Sequence, residues 1–284
     1  MNEPTFQVIG NEGPTVVCIG ALGQGPLIWQ KLWRYFESKC RIISWNLRGT
    51  QGDVKDQFRV NDHVADLESV VRREGLRSCR VITWCSGAKV GIEAVLRHPA
   101  VCESLVLCNG TYTRMRHLES LETPFERTLL ELCEALGSRP GLANTMKGAM
   151  LSLLEGPKMG DRESETSREL RNMIREPFIT KETALNYARQ VVDYMTHDVS
   201  SAIGEVKVPV LVVSGNRDCI SSPRMAEVVA GRFARGGFVE VPEANHYALY
   251  EMGTPLFKTI ERFWDDPEPF LHRAKVSHFA GDRA

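Results

Sequence analysis

The run Val81 to Pro99, VITWCSGAKVGIEAVLRHP, constrains the fold more than any other stretch of this chain. An apolar segment, Val81-Ile82-Thr83-Trp84, stops at Cys85 and passes through Ser86-Gly87-Ala88 into a helical pattern that closes on Arg97-His98-Pro99. It reads as strand, tight turn, helix. A strand apolar on both faces implies a parallel sheet covered by helices on either side.

The same alternation recurs before and after it. Phe6 to Ile9 and Thr15 to Ile19 are strands separated by the turn Gly10-Asn11-Glu12-Gly13-Pro14, and the second runs into the glycine-rich Gly20-Ala21-Leu22-Gly23-Gln24-Gly25. Ile28 to Phe36 has core residues at helical spacing, Arg41 to Asn46 is a strand, and Asn61 to Arg73 is an amphipathic helix. After the central run, Leu105 to Gly110 forms another buried strand. Val208 to Val213 and Gly237 to Val241 resume the sheet, Tyr247 to Trp264 is a final helix, and the residues from Pro267 onward form a poorly anchored tail.

Between Met115 and Ser200 no strand is expected. Thr123-Pro124-Phe125-Glu126 is a capping box with proline at the first helical position, launching a helix through Leu136. Further helices are expected over Leu142 to Leu154, stopping at Gly156-Pro157, then Glu165 to Arg175 and Lys181 to Met195. The domain reading is therefore a core over 1–114, a helical insertion over 115–200, a second core part over 201–266 and a tail over 267–284.

Composition narrows the function classes. The 284 residues carry a formal net charge of -1, so nothing favours a nucleic acid or a membrane surface as partner. The start, MNEPTFQVIGNEGP, lacks a basic region followed by an apolar run, and a cytoplasmic location is expected. Eight cysteines are scattered with no C-x-x-C pair and no zinc-type spacing, so neither a metal nor an organic cofactor is called for. Most are expected to be small apolar packing residues; Cys85 differs by its place on the turn.

With these elements in hand, T-W-C-S-G resembles the nucleophile elbow of the α/β-hydrolase superfamily, with Thr83 in place of the first glycine. The superfamily's spacing to the terminal His-Pro makes Cys85 the nucleophile. Ser86 then follows it, contributing its backbone N–H to an oxyanion hole while its hydroxyl has no required role. Gly20-Ala21-Leu22 resembles the loop that supplies the second N–H, from Ala21 or Leu22, and Asn46 to Gly52 resembles the D-x-R-G-x-G loop with Asn for Asp. The resemblance implies a mostly parallel twisted sheet flanked by helices, with the helical insertion as a lid. It also places Asp218 and His246 after later strands, in the order nucleophile, acid, histidine. Asn109, at an alternative acid position, is no carboxylate and so favours Asp218. Lys89 is expected to reach solvent, with assistance to a thiolate as the alternative.

A cysteine elbow with intact Asp and His further resembles aminoacyltransferases of nonribosomal peptide pathways. These pass an aminoacyl group between the phosphopantetheine arms of carrier proteins, and an acyl group held on Cys85 would remain a thioester. Carrier proteins are then the expected donor and acceptor, and the phosphopantetheine belongs to them. The rivals are a thioesterase or lactone hydrolase with a cysteine nucleophile, and a ligand binder without catalysis. Arg168, Arg171 and Arg175 could meet an acidic carrier, although the interleaved Glu165, Glu169 and Glu176 favour a solvated helix. Met146, Met150, Met173 and Met195 could line an apolar pocket or pack the core.

Overall fold

The computed structural model describes residues 6–50, 59–155 and 165–274. Among the described residues seven strands form one sheet: β1 (Phe6–Ile9), β2 (Thr15–Ile19), β3 (Arg41–Trp45), β4 (Cys79–Trp84), β5 (Cys102–Cys108), β6 (Val210–Gly215) and β7 (Gly236–Val241). Their spatial order is β1-β3-β2-β4-β5-β6-β7, with β1 antiparallel to β3 and every other pair parallel. Leu105 to Cys108 and Val210 to Val213 are fully buried, as strands covered on both faces require.

Helices α1 (Gln30–Phe36), α2 (Val60–Arg73) and α3 (Gly87–Arg97) lie between the first strands. Between β5 and β6 the described residues form the helices α4 (Pro124–Ser138), α5 (Ala143–Glu155), α6 (Glu165–Arg175) and α7 (Lys181–Thr196). The Thr123 hydroxyl accepts from Glu126 N and Glu126 Oε2 accepts from Thr123 N, closing the capping box that starts α4. The proposed stop at Gly156-Pro157 and the end of the Asn46 loop, Gln51-Gly52, lie outside the described residues.

Three expectations change in the second half. Pro223–Arg232 forms a helix, α8, begun by the Ser222 hydroxyl accepting from Met225 N; the Ser-Pro start signal is in the sequence, unassigned above. The single helix expected from Tyr247 to Trp264 is two, α9 (Ala248–Glu251) and α10 (Thr254–Asp265). They are broken at Gly253, where φ is +54°. The tail is helical over its first part: α11 (Pro267–Ala274) buries Leu271 and Ala274, and Leu271 sits where a side chain on Gly237 would have to go. Among the described residues no helix is long and apolar enough to cross a membrane.

Candidate active site

Cys85 stands at the end of β4 with φ of +53°, a left-handed conformation that costs a non-glycine residue energy and persists only when its surroundings hold it. The turn is held by Cys85 N donating to Cys108 O and by Thr111 N donating to Cys85 O. Gly87 permits the next step. A Cβ there would lie 2.4 Å from Ile19 O, so only glycine lets α3 press against the loop after β2. Ser86 is thereby brought to that loop, and Leu22 N donates to its Oγ at 2.9 Å.

Asp218 follows β6 and His246 follows β7; both are buried. His246 Nδ1 is 2.9 Å from Asp218 Oδ2, which also accepts from Asn109 Nδ2 at 2.9 Å. The backbone N–H groups of Ile220 and Ser221 donate to Oδ1, each at 2.9 Å. Four donors thus fix the carboxylate, which in turn fixes the ring. Among the described residues His246 Nε2 has no hydrogen-bond partner; the ring lines the same chamber as Cys85, whose sulfur is 3.5 Å from Thr111 Oγ1. Burial alone would raise the Cys85 thiol, but the charge of His246, the Thr111 hydroxyl and the Ser86 N–H outweigh it and hold the thiol below its ordinary value. Burial pulls His246 down, whereas the charges of Asp218 and Cys85 raise it well above the usual imidazole range. The pair favours thiolate and imidazolium. By contrast, burial raises Cys18, Cys108 and Cys133.

One consequence is measurable without any substrate. Alkylation of Cys85 by iodoacetamide should reach its plateau at lower pH than for a free thiol, and His246→Ala should shift the midpoint upward. Peptide mapping separates Cys85 from the exposed Cys219; an unmoved midpoint would mean the ring does not act on the sulfur.

The chamber is roofed by the helical segment. Phe125 and Leu129 of α4 and Tyr187, Val191, Tyr194 and Met195 of α7 face Cys85 and His246 across it. It is narrow, a cavity of about 50 Å³ with room for a few waters or a short acyl chain. Among the described residues no group of three or more His, Cys, Asp or Glu could hold a metal ion.

Residues 14–252 match the model of the α/β hydrolase fold. The chain belongs to the α/β-hydrolase family. It is 23% identical over 247 residues to a protein of Pantoea ananatis that carries the provisional name carbamate hydrolase RutD, covering 85% of this chain and 86% of the other. It is 24% identical over 185 residues to the pimeloyl-[acyl-carrier protein] methyl ester esterase of Nitrosospira multiformis, covering 65% and 68%. The enol-lactonase from Burkholderia xenovorans LB400 superposes with a TM-score of 0.73 at 19% identity, covering 92% of this chain and 96% of that one.

Within this family frame several side chains differ from expectation. Ser86 is not idle: its hydroxyl occupies the N–H of Leu22, which with Ala21 is one of the two alternatives for the loop's oxyanion donor. Asn109 has a task, with φ of +46° and its amide on Asp218 and on Asn245 O at 3.2 Å. Turned over, its oxygen would face two acceptors, so this orientation is the one the contacts allow. Lys89 neither reaches solvent nor touches the thiol. It is fully buried, its Nζ donating to the carbonyls of Thr113, Tyr194, Met195 and His197 at 2.6–3.4 Å. Of the arginines on α6, Arg168 and Arg175 are exposed and Arg171 half-buried, while Leu170, Met173 and Ile174 form the inward face. Met195 lines the chamber and Met150 packs in the core; the Met146 side chain lies outside the described residues.

Proposed function

We propose that this chain hydrolyses an ester or thioester of a short apolar acyl group through an acyl-Cys85 intermediate. The reading rests on one observation: a cysteine on a strained turn and an Asp218-held imidazole share a narrow chamber whose walls are otherwise mostly apolar. The Cys85 thiolate attacks the carbonyl carbon, a C–S bond forms, and the carbonyl π pair moves onto oxygen. Collapse expels the alkoxide or thiolate, which takes the proton from His246 Nε2. His246, now neutral, draws a proton from water as water attacks the thioester, and collapse breaks the C–S bond, releasing the acid and restoring the thiolate and imidazolium. Asp218 holds the tautomer and stabilises the imidazolium. The names of the relatives, a carbamate hydrolase and a carrier-protein methyl ester esterase, support carbonyl hydrolysis.

Transfer between carrier-protein thiols is the second reading, favoured by the nucleophile itself. An acyl group on cysteine moves to another thiol at nearly equal energy, and a chamber this narrow limits competing water. The two separate by intact mass after mixing with an acyl-loaded carrier protein. Release of free acid with no acceptor present supports hydrolysis. An acyl adduct on Cys85 that persists until a second carrier discharges it supports transfer, and neither free acid nor adduct, with or without an acceptor, overturns both.

A further inference from the structure

In the resting geometry one of the two candidate loop donors, the Leu22 N–H, is already taken up by a side chain. Stabilising a tetrahedral oxyanion needs donors aimed where charge develops, and the loop after β2 is the expected source of one N–H. Leu22 N–H is already committed to Ser86 Oγ. A serine at the start of a helix usually turns its hydroxyl back to cap its own backbone, yet Ser86 stands at the N-cap of α3 and makes no such bond. Its oxygen is instead an acceptor for the loop, held there because Gly87 lets the helix approach Ile19 O and Gly20 O. The hydroxyl hydrogen is then left without an acceptor among the described residues, and Ser86 is half-buried on the wall of the chamber beside Cys85.

We infer that the Ser86 hydroxyl is an oxyanion donor of this site, polarised by Leu22 N–H behind it. The inference rests on the acyl-Cys85 reading. In the tetrahedral intermediate the Ser86 N–H and O–H both point to the former carbonyl oxygen, and Leu22 acts through the hydroxyl. A hydrogen bond accepted by an oxygen strengthens the one it donates, so the relay carries the backbone dipole of the loop to the oxyanion. No proton changes hands in this step; the hydroxyl remains a hydroxyl when the intermediate collapses. Ser86 thereby becomes a catalytic residue, because its side chain touches the reacting oxygen.

Two probes of Cys85 separate this role from a structural one. Butanal adds to the thiolate to give a hemithioacetal with an oxyanion, and [1-¹³C]butanal reports its formation by NMR. Iodoacetamide displaces iodide at a saturated carbon and forms no oxyanion. Ser86→Ala should lower butanal affinity and the kcat for p-nitrophenyl butyrate by about 10²–10³-fold, as for loss of one oxyanion donor. Its KM and iodoacetamide rate should stay near wild type, and Ser86→Thr should recover most of the loss. Unchanged or increased kcat and butanal affinity in S86A would overturn the proposal, because Leu22 N–H would then serve directly. If S86A also loses alkylation, S86T decides. Recovery of butanal affinity with alkylation supports the donor, and recovery of alkylation alone overturns it. Failure of the acyl-Cys85 reading has a separate mark: Cys85→Ala would turn over the ester like wild type, whatever S86A does.

Discussion

Cys85→Ala is expected to lower turnover of p-nitrophenyl butyrate by roughly 10⁴-fold or more, as removal of a nucleophile does when the groups around it act as a unit. Protein stability should barely fall, since Cys85 is half-buried on the chamber wall and outside the fully buried core. Cys85→Ser is the sharper variant. It keeps a donor and acceptor near Thr111 but removes the thiolate charge that helps to raise His246. The histidine must then act as a true general base during attack, a step worth about 10²–10⁴-fold when well arranged. Serine should therefore fall between wild type and alanine, with its intermediate an ester rather than a thioester. Hydroxylamine trapping after acid quench, read by mass at residue 85, distinguishes them. Wild-type activity in C85A would place the chemistry elsewhere.

Much of the candidate site's placement could be read from the chain because its parts are local. The elbow is a contiguous strand-turn-helix, and Asp218 and His246 each follow directly on a strand, so topology alone carries them to one sheet edge. The side-chain bonds that tune the site join residues far apart in sequence. Ser86 meets Leu22 across 64 positions, and Asn109 meets Asp218 across 109. No periodicity encodes such pairs. Asn109 did carry one signal, since asparagine tolerates the left-handed backbone that the end of β5 adopts. Lys89 offered none, because a lysine one turn into a helix ordinarily extends to water. Its burial follows from α7 closing over α3, a tertiary fact. The helix at Pro267 was obscured for a related reason: its short apolar face becomes meaningful only against the gap at Gly237.

Lys89→Met is expected to cost about 2–4 kcal/mol of stability at pH 9, because buried carbonyls at the end of α7 and in the Thr113 loop lose their donor. For a domain of this size that is roughly a 5–15 °C fall in Tm. The cost should depend on pH in a defined direction. Burial pushes the Lys89 ammonium down to about 7, with Asp198, Glu126, Glu122 and Asp193 opposing it, whereas an unfolded lysine titrates near ~10.4. Between those values the unfolded chain keeps a proton that the native chain has released, so this residue's contribution to stability rises with pH by up to ~1.4 kcal/mol per unit. The gap in unfolding free energy between wild type and K89M should widen from pH 7 to 10; a constant gap would mean that Lys89 titrates in its ordinary range. Function should follow structure here. Tyr194 and Met195, whose carbonyls Lys89 holds, also line the chamber, so a loosened end of α7 weakens substrate binding before it disturbs the His246–Asp218 pair. K89M at low temperature should therefore show a raised KM with kcat largely kept, the opposite split from that expected of S86A.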